Sequence, residues 1–101
     1  MAYLILTRDR ADGAAIRNAH RAEHYAYLQA SQHRLIASGG IQDEDGRFVG
    51  GSIILDVDTL TDAKAFANGD PFSKAGLFDE VLVVRWIKAF FDGKQVPRDS
   101  G

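Results

Sequence analysis

The side chain best suited to chemistry in this 101-residue chain is the imidazole of His24. Its unperturbed pKa lies near neutrality, so a placed histidine can take up and return a proton without costly tuning. Such a base needs a partner that holds one ring nitrogen in a chosen tautomer. Asp70, in Gly69-Asp70-Pro71, is a candidate because it falls at a helix junction where proline fixes the backbone. Arg17 and Arg21, one helical turn apart, could receive a carboxylate or an enolate-like oxygen. Together the four suggest proton transfer on a small anionic molecule, with His24 and Asp70 catalytic and Arg17 and Arg21 binding substrate.

The sequence leaves a plain structural reading open for each. His24 could be a satisfied core residue, and Asp70 before Pro71 could serve only as a helix N-cap. Arg17 and Arg21 could pair with Glu23 or other acids on a solvated face, where such pairs contribute little. His20 and His24 have the i, i+4 spacing of a metal pair, yet Arg21, not Glu, follows His20 and no third ligand is evident, so no metal is expected. His33 falls at a helix-to-strand junction and is expected in solvent. No cofactor motif is present and none is expected to be bound; haem, which needs only one axial histidine, would betray itself by absorbance.

The elements that must position these residues follow from hydrophobic patterning. Ala2 to Thr7 is apolar on both alternating sets, which predicts an interior strand. After the polar break Arg8–Gly13, with Asp12 as a cap, a helix is expected over Gly13–Gln32. Projected at about 100° per residue, Ile16, His20, Tyr27, Ser31, His24, Leu35 and Leu28 fall in one stripe of roughly 120°, Arg17 lies within it, and Arg21 lies just beyond the Leu28 edge. Arg34–Ser38 predicts a second strand ended by Gly39-Gly40, Asp45-Gly46 a hairpin turn, and Phe48–Val57 the returning strand. Gly50 and Gly51 in that strand suggest a bulge, or a close approach by a ligand or another backbone. Thr59 with Asp62 resembles a capping box opening a second helix that ends near Asn68-Gly69. Pro71 suits the first position of a short helix over 72–77, and Val81–Phe91 is the last strand.

The order β-α-β-β-α-β predicts an α+β fold: an antiparallel ferredoxin-like sheet with both helices on one face and the first and last strands side by side at its centre. The other face would carry Leu, Val and Trp side chains into water, so a homodimer that buries it is expected. Residues 1–91 form one domain, with a flexible tail over 92–101. A net charge of −2 with dispersed Lys and Arg argues against nucleic acid as a partner. The absence of cysteine excludes disulfides and a thiolate nucleophile. With no signal peptide and no long apolar run, the expectation is a soluble cytoplasmic protein with no membrane partner.

From Tyr3 to about Phe90 the chain resembles the YciI-like (YCII-related) family of the dimeric α/β-barrel superfamily. The likeness rests on Tyr3-Leu4-Ile5; on Arg17-x3-Arg21-x2-His24-x3-Leu28; on Arg34-Leu35-Ile36-Ala37-Ser38-Gly39; on Gly51-Ser52; and on Asp70-Pro71-Phe72 with Ala75-Gly76-Leu77. The resemblance implies a dyad of His24 and Asp70 in a cleft between helix and sheet, with Arg17 and Arg21 nearby. It also implies a cofactor-independent lyase or isomerase, since some members are linked to breakdown of chlorinated or hydroxylated aromatic compounds. The alternative is a non-catalytic domain that binds a small molecule or partner in the same cleft. His33, Gly40 and Arg85-Trp86 depart from the family pattern.

Overall fold

The structure, a computed structural model, describes residues 1–97. Strand β1 (Ala2–Asp9) turns Tyr3 and Ile5 to one face and Leu4 and Leu6 to the other, as strand alternation requires. Tyr3 and Ile5 join Leu28 of helix α1 (Ala14–Ala30), Ile53 and Leu55 of β3 (Phe48–Asp56), and Ala63, Phe66 and Ala67 of α2 (Leu60–Gly69) in the apolar core. Strand β2 (Leu35–Gln42) lies on the far side of β3. A single-turn helix α3 (Pro71–Lys74) leads into β4 (Phe78–Trp86).

The sheet runs β2-β3-β1-β4 with every pairing antiparallel, the ferredoxin-like arrangement expected. One detail differs. Strand β4 does lie beside β1, but the second central strand is β3, and β4 is an edge. The first crossover sets β2 one strand away from β1, its hairpin partner β3 fills the gap, and only the outer side of β1 is left for β4.

Several boundaries move for local reasons. Helix α1 starts from Gly13, which has no side chain to cap it; Asp12, the expected cap, lies one residue earlier and pairs with Arg10 at 3.2 Å. It stops at Ala30, and one 3-10 turn follows at Gln32–Arg34. Leu35 therefore packs against the core from the start of β2 and not from the helix stripe. Strand β2 continues through its glycines because the ladder does, pairing Gly39 with Ser52 and Gly40 with Gly51. Thr59 caps α2, its Oγ1 accepting the Asp62 N–H at 3.0 Å. Strand β4 begins at Phe78, and beyond Trp86 the chain forms a small hairpin, β5 (Phe90–Phe91) with β6 (Lys94–Gln95), turning at Asp92-Gly93. Residues 98–101 of the expected tail lie outside the described residues. Among the described residues no helix is long and apolar enough to cross a membrane.

Both readings of Gly50 are found: the β2–β3 ladder slips beside it, Ile41 pairing with Gly50 and Gln42 with Phe48, and another backbone comes close. A Cβ there would collide with the Thr7 carbonyl oxygen of β1. Since backbone cannot swing aside as a side-chain tip can, Gly50→Ala should destabilise by about 3 kcal/mol, read as a lower urea midpoint at unchanged slope.

Tyr27 ties α1 to α2 by donating from its hydroxyl to the Phe66 carbonyl at 2.9 Å. Gly69 leaves room for it, since a Cβ there would lie 2.6 Å from the Tyr27 oxygen. Burial, and then the Asp70 carboxylate, push the Tyr27 hydroxyl above its ordinary pKa of 10.0, with Arg34 acting against them. The unfolded chain therefore ionises first. This contribution to stability is complete below about pH 10 and is lost as pH climbs through the native value. Alkaline denaturation followed in wild type and Tyr27→Phe should show a shallower loss in the variant.

Candidate active site

Asp70 occupies the junction between α2 and α3, ending one and capping the other, with extended backbone (φ −62, ψ 130) and Pro71 next in line. Its Oδ1 accepts the Phe72 N–H at 2.9 Å, as an N-cap does. The same oxygen lies 2.8 Å from His24 Nδ1. The two readings of Asp70 are thus compatible, since one atom serves both. A carboxylate can only accept, so Nδ1 carries the proton, and the neutral ring is left with Nε2 as its basic nitrogen. Both side chains are largely withdrawn from water, at 16% and 5% exposure. The ring plane of His24 is fixed from one side by Phe72, stacked at 4.1 Å and 16°.

Arg17 lies at the same cleft, and its charge is met by an acid, one of the readings open to it. Its Nε and Nη2 grip the two carboxylate oxygens of Asp9 at 2.8 and 3.0 Å, and Nη2 also reaches the Gly50 carbonyl at 3.3 Å. This fork is nearly buried, with the side chains 12% and 6% exposed. The guanidinium lies 4.9 Å from the Phe72 ring centre and 5.5 Å from that of Phe48. Its charge is therefore matched within the protein, by Asp9 and not by Glu23. Glu23 instead faces His20 at 3.5 Å. Arg21 lines the same cleft and makes no ion pair among the described residues. His33 is exposed, as expected. Among the described residues, no group of three His, Asp or Glu is arranged to hold a metal ion.

These side chains surround an open cleft of about 180 Å³ between α1 and the sheet. A cavity of about 150 Å³ accepts benzene, so a single substituted ring fits. His24, Asp70, Arg17 and Arg21 all line it. Gly39, Gly40, Gly50 and Gly51 line it too, leaving backbone with no side chains along β2 and β3. Aromatic rings of Tyr25, Phe48 and Phe72 complete the wall. Asp9, Phe48 and Tyr25 went unnoticed in the sequence. Asp9 is eight residues from Arg17 across a turn, outside any helical spacing, and only the end of β1 brings the two together.

Residues 1–87 match the model of the YCII-related domain. The protein YciI of Escherichia coli O6:H1 is 32% identical over 98 residues, covering 89% of this chain and all of the relative. An uncharacterised protein of Haemophilus influenzae is 33% identical with the same coverage. Among solved structures, 5-chloro-2-hydroxyhydroquinone dehydrochlorinase (TftG) from Burkholderia phenoliruptrix AC1100, in complex with 2,5-dihydroxybenzoquinone, superposes with a TM-score of 0.82 at 27% identity, covering 94% of this chain and all of that one. Sequence and fold thus agree, and the chain belongs to the YCII-related family.

Proposed function

We propose that the cleft carries out cofactor-independent proton transfer of the lyase or isomerase type on a small anionic ring compound, with His24 as general acid and base and Asp70 as its orienter. The observation that carries this reading is the 2.8 Å contact between His24 Nδ1 and Asp70 Oδ1 at the wall of an open cleft. A histidine held through Nδ1 by a carboxylate presents Nε2 as the proton acceptor. Arg21 supplies the cation that attracts an anionic oxygen. Arg17, neutralised by Asp9, contributes hydrogen-bond donors more than net charge.

The similarity to a dehydrochlorinase supports a hydroxylated, chlorinated ring as substrate. Loss of HCl from such a ring is redox-neutral. His24 takes a proton from a ring hydroxyl and the carbon bearing chlorine receives one. A second hydroxyl then gives up its proton while the C–Cl electron pair leaves as chloride. One proton and one chloride are released, and no external oxidant or reductant enters the balance.

Chloride release from 5-chloro-2-hydroxyhydroquinone tests the proposal. His24→Ala should lower the rate by about 10²-fold or more. Asp70→Asn is the more discriminating change, because Asn caps a helix about as well as Asp. It should leave the melting temperature nearly unchanged while turnover falls by at least about tenfold. Turnover indifferent to His24→Ala would remove the mechanism.

We further propose that the protein works in the cytoplasm as a homodimer joined through the uncovered face of the sheet. Leu6, Leu82 and Val84 share that face and are exposed, with Leu6 opposite Leu82 in the ladder. A contiguous apolar surface of this kind marks an interface. Leu82→Glu should convert a dimer to a monomer in sedimentation velocity; a wild type that sediments as a monomer would refute it.

A further inference from the structure

Phe48 is a large side chain at the cleft wall that is well exposed, at 45%, and held in place from behind. It follows a tight turn in which Asp43 Oδ1 accepts the N–H groups of Asp45 and Arg47 at 2.9 and 3.0 Å. The ladder shifts register between Ile41 and Gln42, which sets Phe48 opposite Gln42. Such irregularities re-aim a side chain. Here the ring comes to lie over Gly40, where a Cβ would stand 2.6 and 2.8 Å from two ring carbons. On another side is the Arg17 guanidinium, 5.5 Å away and itself fixed by Asp9. The ring therefore rests on a missing side chain and an immobilised cation, outside the apolar core. Packing for stability does not call for this arrangement.

We propose that Phe48, seated on Gly40, is a specificity-determining residue that selects planar rings over acyclic anions of like charge. This rests on the reading of the cleft as a proton-transfer site for small anionic compounds. Beside the ring, Gly51, where a Cβ would make only ordinary contacts at 3.5 Å, presents bare backbone on which a flat molecule can lie. Phe48 then meets that molecule in an offset or edge-to-face contact, which an aromatic or quinonoid ring gains and an open chain does not. The cation beside it polarises the same phenyl ring and holds its orientation.

Calorimetric titration of wild type, Phe48→Ala, Phe48→Tyr and Gly40→Ala with 2,5-dihydroxybenzoquinone and with maleate tests the proposal, circular dichroism confirming that each variant is folded. Wild type binds the quinone more tightly than maleate. Phe48→Ala weakens the quinone roughly three- to tenfold and leaves maleate unaffected. Phe48→Tyr keeps the preference. Gly40→Ala, which unseats the ring without removing it, also weakens the quinone selectively. Unchanged quinone affinity in Phe48→Ala, an equal loss for both probes, or a wild type that binds maleate as well as the quinone or binds neither would overturn it. Failure of the proton-transfer reading would look different: chloride release would survive His24→Ala while quinone binding still depended on Phe48.

Discussion

The site depends on one carboxylate oxygen. Asp70 Oδ1 accepts from the backbone at the start of α3 and from the imidazole on α1, at 2.9 and 2.8 Å. A buried carboxylate is tolerable only when its lone pairs are used, and charge-assisted bonds are the stronger kind. Folding of the α2–α3 junction therefore sets the position of the oxygen, and the oxygen in turn sets the tautomer and plane of His24. Pro71 helps by fixing the first helical residue without needing a hydrogen-bond acceptor. Phe72, one residue later, both donates the capping N–H and stacks on the imidazole. Three consecutive residues thus assemble the support for a ring that belongs to a different helix.

The fork between Arg17 and Asp9 follows a different logic. A cation in the first turn of a helix opposes the helix dipole, and burial adds a desolvation cost. Asp9, at the end of β1, offsets both by returning a negative charge to that end of α1. Buried pairs of this kind seldom add net stability. What this one provides is a guanidinium held rigidly between two phenyl rings at the cleft. Among the described residues Arg21 is left without an ion-pair partner, so the two arginines that look equivalent in sequence are electrostatically distinct.

The architecture was legible because it rests on local signals. The apolar run Ala2–Thr7, the uninterrupted periodicity after Gly13 and the Asp70-Pro71 junction each predict the element that forms there. His24 and Asp70 came from residue chemistry together with family likeness, and the fold brings them into contact across 46 positions of sequence. Other features depend on register and could not be read. Whether β4 is central or at an edge is decided by which side of β1 is left open, a property of the whole sheet. The ion pair of Asp9 has no spacing rule behind it, and Phe48 reaches the cleft only because the ladder slips near Gln42. Gly50 was flagged as a bulge or as a close approach by a ligand or another backbone, and it has both a ladder slip and the Thr7 backbone beside it.

The two faces of the sheet impose linked demands. Gly40 on β2 and Gly51 on β3, paired in the ladder, share the face under α1 and hollow it out to make the cleft, and each forgoes side-chain burial worth on the order of 25 cal/mol per Å². Glycines in strands also cost backbone entropy. A chain of this length has little core to spare, and here the missing burial lies beside the His24–Asp70 pair. The opposite face carries Leu6, Leu82 and Val84, apolar surface that the single chain leaves in water. Pairing two such faces, as proposed, would recover between subunits the burial that the cleft removes within each one. On that account self-association and an open, glycine-lined site are two consequences of the same distribution of side chains across the four strands of the sheet.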